Sequence, residues 1–175
     1  MMKILMPFLF SFCLTGQSVY EFSIPAANGI DTISLSGYAG KQILIVNTAL
    51  ESNYTYQLTG LAQLSQTYGD SLVIIAVPSN SFGNEPNNDS AIQYQLAHIF
   101  NIQFPVAAKS AVAGTDALPL YQWLNQKILN GSVDNIVTSD FTKYLINSSG
   151  QLTGIFSPEV EPMSSVLQDA IKGIE

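Results

Sequence analysis

The stretch that most constrains the fold is a strand–loop–helix–strand unit that begins at Ile43. Four apolar residues, Ile43–Val46, precede a short polar loop over 48–54. Apolar residues then recur at helical spacing over 55–68, and a second apolar run, Leu72–Val77, follows. Short β-branched runs predict buried strands. The helix between the two strands predicts a right-handed crossover, which joins parallel strands. We expect the functional site in the loop, because such sheets bind ligands where a strand's carboxyl end meets a helix.

The rest of the chain predicts a mixed sheet, helices around it and an N-terminal hairpin. Two short strand-like runs, Tyr20–Ile24 and Ile30–Leu35, flank an Asn-Gly turn signal. Two later strands, Phe141–Ile146 and Leu152–Phe156, are joined by a second hairpin turn. Helices are predicted over 55–68, about 89–100, about 115–128 and 162–174. This order predicts one α/β sandwich of the thioredoxin type, with a central mixed β-sheet flanked by helices.

The first eighteen residues have the pattern of a secretory signal peptide. Lys3 supplies a positive charge, and Ile4–Leu14 is apolar but too short to span a bilayer. Small residues follow, so cleavage is expected after Gly16 or Ser18. We predict a leader over 1–18, a domain over 19–175, and a secreted or periplasmic protein without a stable membrane anchor.

Cys13 is the only cysteine of the chain, and it lies in this predicted leader. A lipid anchor on Cys13 is the alternative, but Phe12 stands where a small residue is expected. The predicted domain has no thiol, disulfide or thiolate metal ligand. Its acidic residues are scattered without ligand spacing, so the sequence predicts neither a metal site nor a cofactor.

The charge of the chain limits its partners. Six basic residues against thirteen acidic residues give a formal net charge of −7. Nucleic acids and anionic membrane surfaces attract basic patches. We therefore expect neither as a partner, and the partner predicted is an unidentified protein or small molecule.

A series of short motifs spans nearly the whole chain, from Val19 to Ile174. The most distinctive are Leu44-Ile-Val-Asn47 before the loop, Pro78-x-Asn80-x-Phe82-Gly83 after it, and Phe141-Thr-Lys-Tyr144. In their order and spacing they resemble the glutathione peroxidase family. The resemblance implies a thioredoxin-like fold with an N-terminal hairpin. It also implies thiol or glutathione peroxidase activity in the response to oxidative stress.

The residues that carry the family's chemistry are replaced. By the resemblance, the peroxidatic cysteine or selenocysteine falls at Ser52 and the motif glutamine at Ser81. The Trp-Asn pair falls at Ser139 and Asp140. A serine hydroxyl titrates far above a thiol and does not form the sulfenic acid of this reaction. Ionised Asp140 only accepts hydrogen bonds, so it would repel an anion that the family's amide attracts.

Two interpretations of Ser52 remain. The first is a helix N-cap, with Asn53 as the alternative cap. The second is a nucleophile, which needs a base; the only histidine, His98, is expected on the exposed side of its helix. We therefore expect a catalytically inactive homologue with a binding or scaffolding role. The alternative is a residual or altered peroxidase or oxidoreductase activity.

Overall fold

The chain is described here by a computed structural model that covers residues 17–174. The predicted leader lies outside these residues except for Gln17 and Ser18, and both are bonded into the fold. The Gln17 backbone N–H donates to Leu129 O at 2.9 Å, and Gln17 O accepts from the Trp123 indole at 2.6 Å. Ser18 begins a capping box on a short 3₁₀ helix, Val19–Glu21.

A four-stranded mixed sheet forms the centre of the fold, in the order β4-β3-β5-β6. Strands β3 (Gln42–Thr48) and β4 (Leu72–Pro78) are parallel, as their apolar runs predict. Strands β5 (Lys143–Ile146) and β6 (Leu152–Phe156) continue the sheet in antiparallel pairing. The predicted central mixed sheet is confirmed.

The N-terminal hairpin is also confirmed, in a shorter form. Strands β1 (Ser23–Pro25) and β2 (Thr32–Ser34) pair antiparallel as a separate two-stranded sheet. Between them, Asn28 Oδ1 accepts from the backbone N–H groups of Ile30 and Asp31 and so holds the turn. The prediction that Tyr20 lies in a strand is wrong, because Ser18 caps the 3₁₀ helix there.

Helices flank the sheet as predicted, although one predicted helix is two. The helices are α1 (Gln57–Tyr68), α2 (Asp89–His98), α3 (Pro119–Asn125), α4 (Lys127–Asn130) and α5 (Ser165–Lys172). The predicted helix over 115–128 breaks at Gln126, whose backbone is extended. Side-chain amides beside the break donate to helix carbonyls at 2.7 and 2.8 Å and compete with the helical ladder. No helix of residues 17–174 is long and apolar enough to cross a membrane.

Helix α2 is capped by the residue before it. Asn88 is the N-cap, because its side chain accepts from the Ala91 backbone N–H at 3.0 Å. The Asp89 carboxylate instead accepts from the backbone N–H of Lys109 at 2.6 Å. This bond fastens the start of α2 to the segment that follows the same helix.

Alternating side chains of the sheet build a core on each face. On one face, Ile43 and Tyr144 pack with Trp123, which is fully buried. On the other face, Leu44 and Leu145 pack with residues of α1, α2 and α5. Strand β3 lies between two other strands and is buried on both faces, so the loop after it starts from a fixed point.

Candidate functional site

The loop that follows β3 holds Ser52 in a nearly buried position. Ser52 is 9% exposed, and its Oγ accepts from the Tyr54 backbone N–H at 3.3 Å. Helix α1 begins later, at Gln57, with Tyr56 as its N-cap and no side-chain cap. The predicted N-cap role is therefore wrong for both Ser52 and Asn53. The reason is local: successive i→i+3 turns follow Ser52, and the α-helical ladder begins about one turn further on.

A buried carboxylate fixes this loop from its other side. Glu85 is 1% exposed, and its Oε2 accepts from the Leu50 backbone N–H at 2.8 Å. Its Oε1 accepts from the Asn87 side chain at 3.0 Å. The Glu51 backbone N–H also donates, to Asn84 O at 3.0 Å. The loop after β3 and the loop after β4 therefore form one bonded unit.

The Asp140 carboxyl group is the polar neighbour of Ser52. Asp140 is 1% exposed, and its Oδ2 accepts from the Asn84 side-chain amide at 2.7 Å. Its Oδ1 has no hydrogen-bond partner among the described residues. Burial raises the pKa of Asp140, while interactions with Asn84 and the Ser52 hydroxyl act in the opposite direction.

An unusual backbone conformation brings Asp140 to this place. Phe141 has φ of +60°, and its backbone N–H donates to Asn47 O at 2.6 Å. The Asn47 side chain, which is fully buried at the end of β3, donates to Ser139 O at 2.9 Å. Non-glycine residues seldom adopt a positive φ. Asn47, at the end of β3, therefore binds the residue before Asp140 and the residue after it. These two bonds hold Asp140 beside Ser52.

The other two predicted site residues point elsewhere. The Ser81 hydroxyl accepts from the Val112 backbone N–H at 3.0 Å and lies 3.0 Å from the hydroxyl of Ser79. Ser139 contributes its backbone carbonyl oxygen and not its side chain. That oxygen accepts from the Asn47 side chain and from the Thr142 hydroxyl, the latter at 3.1 Å. The structure thus brings together Ser52 and Asp140. No hydrogen bond among residues 17–174 joins the Ser81 or Ser139 side chain to either of them.

Two residues near the site were missed in the sequence analysis. Asn84 could not be found from any signal, because only the folded loop brings its amide to Asp140. Lys143 is fully buried, and its Nζ donates to Phe141 O at 2.9 Å. Burial lowers the pKa of Lys143 to about 8, against the opposing charges of Glu159 and Glu161. A lysine inside an otherwise apolar strand was the signal that could have pointed to it.

The histidine base that a nucleophilic Ser52 would need is not part of this arrangement, and neither is a redox group among the described residues. His98 is exposed on α2 as predicted and stacks on Tyr94, with ring centroids 4.6 Å apart. Within the described chain, no three His, Cys, Asp or Glu residues form a group that could hold a metal ion. A hydroxyl beside a buried carboxylate can bind and order two loops, but it cannot cycle through sulfur oxidation states.

The fold and the position of this loop define a thioredoxin-fold protein. The structure is similar to a thiol:disulfide interchange protein of the thioredoxin family from Chlorobium tepidum, with a TM-score of 0.62 over 89% of this chain and 93% of that chain. The sequence identity is 18%, so this likeness concerns the fold alone. The predicted fold class is confirmed.

Closer similarities identify the family. The glutathione peroxidase family model matches residues 19–125. A glutathione peroxidase of Lactococcus lactis is 36% identical over 83% of this chain and 93% of its own. The Bacillus subtilis glutathione peroxidase homolog BsaA is 31% identical over 91% and 99%. The crystal structure of Trgpx in apo form is 30% identical, with a TM-score of 0.67 over 89% of this chain and 96% of that chain. The chain belongs to the glutathione peroxidase family.

Proposed function

We propose that this member of the glutathione peroxidase family does not reduce peroxides and acts as a binding or scaffolding protein. The observation that carries the proposal is the pair at the end of β3. By the family resemblance, Ser52 takes the position of the peroxidatic residue. In the structure, its hydroxyl neighbours the buried carboxyl group of Asp140.

The chemistry of this pair opposes peroxide reduction. The reaction needs a thiolate or selenolate that attacks the O–O bond and is oxidised in the process. The hydroxyl of Ser52 stays protonated at neutral pH and has no accessible higher oxidation state. A neighbouring carboxylate disfavours a second negative charge. Ser52 and Asp140 therefore act against the same step for two separate reasons.

The shape of the site supports a role elsewhere on the surface. Ser52 and Asp140 are 9% and 1% exposed, so a substrate has little access to either side chain. Two large grooves of the described residues, of about 520 and 500 Å³, are lined by other residues. A binding role fits these grooves better than it fits the position of Ser52.

A peroxide assay tests the proposal. Hydrogen peroxide consumption is measured with reduced glutathione and with reduced thioredoxin, and the Lactococcus lactis relative serves as a parallel sample. We expect consumption no faster than in the protein-free mixture. Turnover that disappears in Ser52→Ala would overturn the proposal, and it would support the alternative of an altered activity at this site.

We also propose export, with cleavage after Gly16. Support comes from Gln17 and Ser18, since cleavage after Ser18 would remove the acceptor of the Trp123 indole and the cap of the 3₁₀ helix. The intact mass of the exported protein tests this proposal. A mass that starts at Val19, or one that retains a lipid on Cys13, would contradict it.

A further inference from the structure

The outer edge of strand β6 carries no partner strand. The sheet ends at β6, which pairs with β5 on one side only. In the described chain, no backbone hydrogen bond joins Thr153–Phe156 to anything beyond β5. An edge strand with free N–H and C=O groups is a template for one further strand.

The loop over residues 132–139 faces this edge, but its middle and its end are hydrogen-bonded to other parts of the fold. At its start, the Ser132 hydroxyl donates to Leu152 O at 3.0 Å. Its middle is held on the far side, where the Asn135 backbone N–H donates to Asn125 O at 3.0 Å. Its end is tied at Ser139 to β3. The loop therefore touches β6 at one end and is bonded to other parts of the fold at its middle and its far end, and a gap lies between it and the strand.

The gap, here called the edge groove, is lined by β6, the facing loop and the segment after β6. Its volume is about 520 Å³, within the range of about 300–1,000 Å³ that is usual for binding sites. Its lining contains no charged side chain. Val133 and Ile136 of the loop are 40% and 82% exposed, so the groove presents apolar side chains at its surface. The lining residues that carry the argument are Val133, Ile136, Thr138, Thr153, Gly154 and Ile155.

We propose that the edge groove binds an extended, uncharged peptide segment of a partner protein, which adds a fifth strand to the sheet beside β6. Main-chain hydrogen bonds to Thr153–Phe156 supply the pairing, as in other cases of strand addition. Val133 and Ile136 select apolar side chains at alternate positions of the peptide. This inference deepens the proposed binding role and rests on it.

The occupant follows from the walls of the groove. A symmetric pair of copies would place two β6 edges against each other, and the loop over 132–138, which lines the groove beside that edge, would come between them. A thin extended segment avoids this obstruction. A charged segment would lose its hydration against a lining that offers no opposite charge. These two points favour an uncharged tail or linker over a folded edge.

A peptide library provides the first test. The probe is a phage-displayed library of random twelve-residue peptides, selected on the purified full-length protein. We expect the enriched peptides to be uncharged and rich in β-branched residues at alternate positions. The best peptide is then synthesised, and its affinity is measured by fluorescence polarisation. A library without enrichment would overturn the proposal, as would enrichment of charged sequences.

Two matched surface variants locate the site. Ile136→Lys places a charge in the groove, whereas Ile128→Lys places the same charge at an equally exposed isoleucine outside it, 83% against 82% exposed. We expect Ile136→Lys to weaken peptide binding at least tenfold and Ile128→Lys to leave it unchanged. Equal binding by both variants would place the peptide elsewhere and overturn the proposal.

N-methylation of the peptide separates strand addition from simple pocket binding. An N-methyl group removes one donor and blocks pairing on that side of the strand. We expect loss of binding for methylation at every second position and tolerance at the positions between. Uniform tolerance would refute the added strand. The peroxide assay has a separate readout, so a failed peptide experiment leaves the proposal about peroxide reduction standing, and the reverse is also true.

Discussion

The side-chain amide of Asn84 donates a hydrogen bond to Oδ2 of Asp140 at 2.7 Å, across 56 positions of sequence. This bond joins the loop after β4 to the segment that precedes β5. Because Asp140 also neighbours Ser52, one carboxyl group links three parts of the chain.

Replacing Asp140 with asparagine should change how stability depends on pH. Burial raises the pKa of Asp140 above its ordinary value of 3.8. Between pH 3.8 and the raised value, the folded protein binds more protons at this carboxyl group than the unfolded chain does. The free energy of unfolding therefore falls as pH rises through that window. We expect Asp140→Asn to remove this fall, so that its stability relative to the wild type increases from pH 4 to pH 7.

Urea unfolding at a series of pH values measures this difference. Asp116→Asn is the control, because Asp116 is exposed and lies away from Ser52. If Asp140→Asn and the wild type lost stability in parallel over the whole range, the burial account of Asp140 would be wrong.

A cysteine introduced at Ser52 should remain a thiol at neutral pH. The Asp140 carboxylate beside it disfavours a thiolate, so the pKa of Ser52→Cys should be at or above about 8.5. Adding Asp140→Asn to the same chain should lower that pKa. The measurement is the rate of alkylation against pH, with Cys13→Ser in every sample so that one thiol is present.

Ser149→Cys provides the exposed reference for this experiment, because Ser149 lies in the turn between β5 and β6. An alkylation rate of Ser52→Cys that has already reached its thiolate plateau at pH 7 would contradict the prediction. It would show that the scaffold still supplies the field that activates a thiol, and that a single substitution separates this protein from peroxide chemistry.

Ser52→Ala and Ser52→Asp should differ in their effects on stability. Ser52→Ala removes the acceptor of the Tyr54 backbone N–H and the hydroxyl that neighbours Asp140, so it should cost about 0.5–1.5 kcal/mol. Ser52→Asp keeps an acceptor but places a second carboxylate beside Asp140, and it should cost more. Thermal unfolding at pH 7 compares the two variants. A Ser52→Asp variant more stable than Ser52→Ala would indicate that a helix N-terminus dominates this position.

Lys143→Met should remove a pH dependence on the alkaline side. The pKa of Lys143 is lowered from 10.5 to about 8, so between these values the unfolded chain binds more protons. The free energy of unfolding of the wild type should then rise with pH across this window, by up to about 3 kcal/mol. Lys143→Met should be no less stable at pH 7 and should lack the rise. Because both proteins contain the same tyrosines, the comparison cancels the titration of those residues. Equal slopes of the free energy of unfolding against pH would contradict the prediction.

The strands of the central sheet and their order along the chain could be predicted, because a short uninterrupted apolar run is stable as a buried strand. Strands β3 and β4 are buried on both faces, so their sequences are apolar without interruption. The break between α3 and α4 could not be predicted. It contains no glycine or proline, and it depends on the amides of Asn125 and Asn130 meeting carbonyls in the folded chain.

The site was predictable by position and not by contact. Ser52 follows β3, and the end of β3 marks the site whatever the sequence of the loop. The family resemblance already named Asp140 as a site residue. Its place beside Ser52 depends on the positive φ of Phe141 and the bond to Asn47, which the motif does not encode. Ser81 faces Val112 because the loop after β4 closes on a distant backbone N–H.

The bond from the Trp123 indole to Gln17 O makes the emission of Trp123 a reporter of whether Gln17 is present. Trp123 is the only tryptophan of the chain, and the acceptor of its indole N–H is the Gln17 carbonyl oxygen. A chain that retains Gln17 keeps the emission of the indole unchanged, whereas trimming past Gln17 deprives the ring of its acceptor. The fluorescence spectrum therefore distinguishes a chain that begins at or before Gln17 from one that begins after it.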